Sequence, residues 1–125
     1  MRTGAKARLS EGNGAERMED SQAISDVVRF VRDHLDADLS CEALARRACM
    51  GRTKFKQQFK LAFGCPPAAF VAEERMHRAR ILLESTDIPV ARIAEMVGYR
   101  KPGAFSESFR RRTGMLPSDF RKAHR

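Results

Sequence analysis

Residues 44–70, LARRACMGRTKFKQQFKLAFGCPPAAF, and residues 93–120, IAEMVGYRKPGAFSESFRRRTGMLPSDF, are two copies of one pattern. Ala45 faces Ala94 at an offset of 49. One residue is inserted in the turn of the second copy. Beyond it the offset is 50, and it holds for Phe55 with Phe105, Phe59 with Phe109, Gly64 with Gly114, Pro67 with Pro117 and Phe70 with Phe120. Each copy is a short apolar-periodic segment, a break, and a longer segment with phenylalanines at steps of four, which reads as short helix, tight turn, second helix. A Phe stripe is nearly always core, so Phe55, Phe59, Phe105 and Phe109 are expected to anchor each second helix to its own bundle.

The flanks complete the pattern. Ile24, Val27, Val28, Val31 and Leu35 recur at helical spacing, which predicts an amphipathic helix over residues 21–35. Ser40 reads as an N-cap with Glu42 in the first turn of a short helix over 41–48, and a second helix runs from Arg52 to Phe63, ended by Gly64. Pro66 and Pro67 can start but not continue a helix. From there to Glu84 nothing breaks the chain, and Phe70, Val71, Met76, Ala79, Leu82 and Leu83 form a candidate buried stripe. Pro89 to Val97, Pro102 to Thr113 and Pro117 to Lys122 supply three further helical segments, with Gly98 in the turn between the first two and Gly114 closing the second. No strand signal occurs, so the expected fold is all-α: two helix-turn-helix subdomains, over residues 21–66 and 85–125, joined by a long connector helix over 67–84. Residues 1–20 have Leu9 and Met18 as their only large apolar residues and read as a disordered leader; Met18 is a second candidate start.

With 24 Lys+Arg against 16 Asp+Glu, the net charge of +8 makes a polyanion the first partner to consider. Its location sharpens this. Residues 1–20, 21–50 and 81–98 sum to 0, −1 and −2, whereas residues 51–80 and 99–125 carry +5 and +6. Both basic blocks begin at a turn and include the second helix of a copy, as a protein touching a phosphate backbone at two places would arrange them. On the first copy the residues between the phenylalanines include Arg52, Thr53, Lys54, Lys56, Gln57 and Lys60, all able to donate to phosphates or base edges. A helix-turn-helix that binds DNA lays its second helix in the major groove. Cys41, Cys49 and Cys65 are an odd set without Cys-x-x-Cys spacing, and His34, His77 and His124 are too scattered to complete a zinc site, so no metal or other cofactor is expected. No apolar run is long enough for a signal peptide or a membrane span, which points to the reducing cytoplasm and buried structural thiols.

Leu44-Ala45, Phe55, Phe59, Gly64, Pro67, Phe70, Arg75-Met76, Ala79, Leu82-Leu83, Ile93-Ala94, Gly98-Tyr99, Phe105-Ser106, Phe109, Gly114 and Pro117 together resemble the DNA-binding domain of the AraC/XylS regulators over about residues 24–123. The resemblance implies two homeodomain-like helix-turn-helix subdomains on a rigid connector, with recognition helices in successive major grooves on one face of double-stranded DNA. It implies a transcription regulator, an activator by the family's habit, that contacts RNA polymerase and is not an enzyme. A connector of about 27 Å plus the bundles at its ends approaches the groove spacing of about 34 Å. A monomer can therefore span two half-sites, unless the chain is part of a larger regulator. If the recognition helices lie closer than the grooves, the DNA bends toward the protein. By the same resemblance Thr53, Lys54, Lys56 and Gln57 face bases in the first copy, where Gln57 suits adenine and the lysines suit guanine or phosphate. In the second copy the positions are Pro102, Gly103, Ala104, Ser106 and Glu107, where Glu107 can accept from cytosine N4 or repel phosphate. Arg100, Lys101, Arg110, Arg111 and Arg112 are expected on the backbone. Two positions depart from the pattern. Cys49 stands where the second copy has Gly98, which predicts a cysteine at positive φ, and Gly51 replaces the family's serine before the first recognition helix.

Two other functions fit parts of the chain. An architectural DNA-bending protein of low sequence specificity fits the weakly reading Pro102-Gly103-Ala104 stretch. An alkyl-transfer repair enzyme fits a family-like domain with cysteines, but these lack a metal cluster, a neighbouring histidine or a catalytic domain. A redox-sensing role for the thiols has the same weakness. The 20-residue leader is too short to sense a ligand, so control would rest on abundance or on a larger regulator.

Overall fold

The computed structural model describes residues 10–125, with side chains from Met18 onward. Its described residues form seven helices and no strand: α1 (Ser10–Asp33), α2 (Cys41–Arg47), α3 (Arg52–Phe63), α4 (Pro67–Ser85), α5 (Val90–Met96), α6 (Pro102–Thr113) and α7 (Pro117–Ala123). Helices α3 and α6 have the bounds that their closing glycines, their phenylalanine spacing and, for α6, its opening proline predict. Helix α1 does not. Residues 10–20, which composition assigns to a disordered leader, are helical, because nothing between the apolar segment and Ser10 is a proline that would stop the backbone ladder. Residues 1–9 of that leader lie outside the described residues.

The chain divides into two compact units, one taking residues up to Phe30 with Ser40–Pro67, the other Val31–Leu39 with Ala68–Arg125. The boundary therefore passes through α1, and almost all of α4 falls within the second unit.

In the first unit α2 packs on α3, and Ile24, Val27, Val28, Leu44, Ala45, Ala48, Phe55 and Phe59 are buried. Ser40 caps α2 by accepting from the Ala43 amide at 3.2 Å, as its place before the helix predicts. The rings of Phe55 and Phe59 lie 5.8 Å apart and tilted, a favourable aromatic geometry. Phe63 ends the stripe differently: its ring lies 5.0 Å from Phe59, yet its side chain stays exposed.

In the second unit α5 packs on α6 and α6 on α7. The core gathers Met76, Ala79 and Leu83 of α4, Ile93, Ala94 and Val97 around α5, Phe105 and Phe109 of α6, and Phe120 of α7. Most of the stripe expected along α4 is buried, but Phe70 and Leu82 are only half-buried.

Two arginines tie this unit together in a way the apolar pattern does not reveal. Arg75 on α4 donates from Nε to the Leu35 carbonyl at 3.1 Å and from a terminal nitrogen to the Ala37 carbonyl at 3.3 Å. Arg121 on α7 does the same to Leu83 at 3.1 Å and Thr86 at 3.0 Å. Arg75 satisfies carbonyls of the segment that follows α1, and Arg121 those at the end of α4, where the intrahelical ladder runs out. Burial pushes the Arg75 guanidinium below its ordinary range, opposed by Tyr99, Asp36 and Asp38.

Candidate nucleic-acid interface

In the first unit the turn between α2 and α3 is set by Cys49, the one non-glycine residue at positive φ (58°) among those described. Its amide donates to Arg46 O at 3.1 Å, and the next amide, of Met50, donates to Ala45 O at 3.0 Å, which closes the turn. Gly51 then enters α3 in extended conformation without a side-chain cap, and Gly64 closes the helix at φ 76°. With Phe55 and Phe59 almost fully buried, the rest of the helix surface is turned outward. Arg52, Thr53, Lys54, Lys56, Gln57 and Lys60 are all exposed, so the structure brings the residues singled out in the first copy onto one exposed helix surface. No acidic residue occurs in α3. Lys54 has a partner on another helix, Asp20 of α1, at 3.5 Å.

The thiols correct an expectation. Cys49 is exposed, and Cys41 and Cys65 are half-buried; none is a core residue. Cys41 is the first residue of a helix, Cys49 is a turn apex, and Cys65 follows the glycine that ends α3, all places where the chain runs along the surface. No group of three potential metal ligands occurs among the described residues.

The second unit repeats the turn with one more residue. The Gly98 amide donates to Glu95 O at 3.0 Å and the Tyr99 amide to Ala94 O at 2.8 Å, matching the bonds of Cys49 and Met50. Gly98 sits at φ 98°. A Cβ there would lie 2.3 Å from the Leu35 carbonyl oxygen and 2.8 Å from the Arg75 guanidinium. Glycine is thus required in this turn by contact as well as by conformation. Tyr99 packs edge-on against Phe105 with centroids 5.6 Å apart, and its hydroxyl shares a hydrogen bond of 3.2 Å with the Ser108 hydroxyl, which fixes the inserted turn against α6.

Helix α6 starts at Pro102 and buries Phe105 and Phe109 completely. Arg100, Lys101, Pro102, Gly103, Ala104, Glu107, Arg110, Arg111 and Arg112 are exposed; Ser106 is half-buried. Arg112 lies 3.6 Å from Glu73 of α4, and that carboxylate also holds Arg80 at 3.1 Å. The opening of α6 thus presents backbone and small side chains, and the cations gather in its last turn. A basic last turn suits the negative end of a helix dipole.

The helix-turn-helix domain family matches residues 44–123. Over 99 residues the chain is 27% identical to the arabinose operon regulatory protein of Salmonella typhimurium, covering 78% of this chain and 35% of that one. It therefore spans about a third of the length of that relative. Against the regulatory protein SoxS of Escherichia coli it is 25% identical over 104 residues, covering 83% of this chain and 97% of that one. Among solved structures, the DNA-binding domain of the global transcriptional factor AdpA, in complex with a target DNA, superposes with a TM-score of 0.79 at 34% identity. That match covers 82% of this chain and 92% of the other. These relatives are named as an operon regulatory protein, a regulatory protein and a transcriptional factor, not as enzymes. No helix among the described residues is long and apolar enough to cross a membrane.

Proposed function

Because the chain belongs to the AraC/XylS family of helix-turn-helix transcription regulators, we propose that it binds double-stranded DNA sequence-specifically, with α3 and α6 as recognition helices in successive major grooves. The observation that carries this is the two-faced build of both helices. Each buries a pair of phenylalanines and turns outward residues that can donate to a duplex.

In the first unit Thr53, Lys56 and Gln57 are the base-facing set, with Arg52 and Lys60 on the backbone. Gln57 suits adenine. In the second unit Ser106 and Glu107 are the side chains able to read an edge, Glu107 by accepting from cytosine N4. The bare opening over Pro102, Gly103 and Ala104 brings the backbone near the groove, and Arg100, Lys101, Arg110, Arg111 and Arg112 hold phosphates. The chain acts in the cytoplasm as an activator, binding as a monomer that contacts RNA polymerase, in line with the family it belongs to.

Selection from random duplexes at about physiological salt tests this, with the winner titrated against scrambled DNA. A bipartite, non-palindromic site over two turns, preferred by about a thousandfold or more, is the expected result. Absence of any enriched motif, with steeply salt-dependent affinity, would replace it with an architectural DNA-bending role.

A further inference from the structure

We propose that Asp20 on α1 is a positioning residue that neutralises Lys54 and removes it from the set of phosphate ligands; this rests on the DNA-binding function above and refines it. Helix α3 opens with Arg52-Thr53-Lys54 and contains no acidic residue of its own. The counter-charge arrives from the preceding long helix of the same unit. Asp20 Oδ2 lies 3.5 Å from Lys54 Nζ, with the carboxylate side chain 17% exposed and the lysine 45%. Lys56 and Lys60 form no ion pair with any described residue and are exposed.

The difference matters because DNA affinity gains mainly from cations that displace condensed counterions. Lys60 meeting a phosphate releases such an ion and leaves nothing uncompensated. Lys54 can meet one only by leaving Asp20. That bares a carboxylate, mostly buried and beside a polyanion, which must then recruit a cation from solution. The ion released at the phosphate is cancelled by the ion taken up at Asp20. Lys54 therefore contributes nothing to the salt dependence of binding, although it sits in the first turn of the most basic helix. By staying on Asp20 it also lowers affinity for DNA of any sequence, since one cation of the recognition helix is withheld from every duplex alike.

The test is a salt titration of binding to a scrambled fluorescent duplex of about two turns, for wild type, Lys54→Ala, Asp20→Asn and the double variant. Lys54→Ala leaves Asp20 bare beside the duplex and should make the slope of log K against log salt shallower, so the contribution of Lys54 itself is read in the double variant. Asp20→Asn should steepen it by about 0.9 and tighten binding about fivefold near 0.15 M salt. Adding Lys54→Ala to Asp20→Asn should restore the wild-type slope, which a merely structural role for Asp20 would not do.

A double variant whose slope falls about 0.9 below that of wild type, or a slope unmoved in Asp20→Asn, overturns the proposal. If Asp20→Asn is unstable, Asp20→Ser removes the same charge and decides the matter in its place. A wild-type chain that binds no duplex at all would be seen before any variant is made, and would remove the parent function instead.

Discussion

Replacing Gly98 with alanine should destabilise its unit more than the same change at Gly51, Gly64, Gly103 or Gly114. The residue sits at φ 98°, where an L side chain is strained by about 1–2 kcal/mol. The new Cβ would also stand 2.3 Å from Leu35 O and 2.8 Å from Nε and Cζ of Arg75. These are the two partners of a 3.1 Å hydrogen bond that fastens α4 to the segment after α1. The carbonyl is backbone and cannot yield cheaply. If the guanidinium moves instead, it gives up a charge-assisted bond in a half-buried site, worth about 1.5–3 kcal/mol. Together these predict a loss of about 3–5 kcal/mol, which for a unit of this size lowers the melting temperature by at least about 12 °C. Circular dichroism melts and urea titrations of Gly98→Ala would measure it. Gly103→Ala is the control: nothing lies within 4 Å of its Cβ and its φ is helical, so helix propensity should make it stabilising by up to about 1 kcal/mol. A Gly98→Ala protein that melts within about 2 °C of wild type would refute both the close approach and the role assigned to Arg75.

The equivalent turn in the first unit predicts the opposite sign: Cys49→Gly relieves a non-glycine residue at φ 58° and should be neutral or stabilising by about 1 kcal/mol in a thermal melt, clear destabilisation counting against it. Phe55→Ala and Phe105→Ala each delete a fully buried ring and should cost about 3–5 kcal/mol in urea unfolding. Weakened DNA binding at unchanged stability would place those rings on the interface instead of in the core.

Much of this architecture is legible in the residues alone because its signals are local. A glycine in left-handed conformation ends both α3 and α6, and a proline at the first position starts α6, so these limits follow from backbone stereochemistry. Cys49 at positive φ was readable by alignment with Gly98, a comparison internal to the chain. What was not legible depends on groups far apart in sequence. Arg75 lies one turn from Val71 and one from Ala79, on the buried side of α4, and a cation there signals a buried acceptor. Its partners, the carbonyls of Leu35 and Ala37, have no side-chain signature. Asp20 belongs to a stretch whose composition suggests disorder, so nothing marked it as the partner of a lysine in α3. The thiols were misplaced because cysteine's general preference for burial says little about a turn apex or a helix end.

The two copies have kept one backbone and changed what it carries. Both turns close with the same pair of hydrogen bonds. Gly64 and Gly114 end their helices at φ 76° and 84°, each amide donating at 2.7 Å to the carbonyl four residues before. Both helices bury two phenylalanines with centroids 5.8 Å apart. Divergence lies on the outward surface, where Lys56-Gln57 in α3 is answered by Ser106-Glu107 in α6. A glutamine presents a donor and an acceptor together, whereas a glutamate only accepts, so the bidentate adenine contact open to Gln57 is closed to Glu107. Copies kept identical on this surface would read a direct repeat. On the proposed function, copies that diverged here would read two unlike half-sites, and binding would then require both in one order, which would fix the polarity of the chain on its DNA.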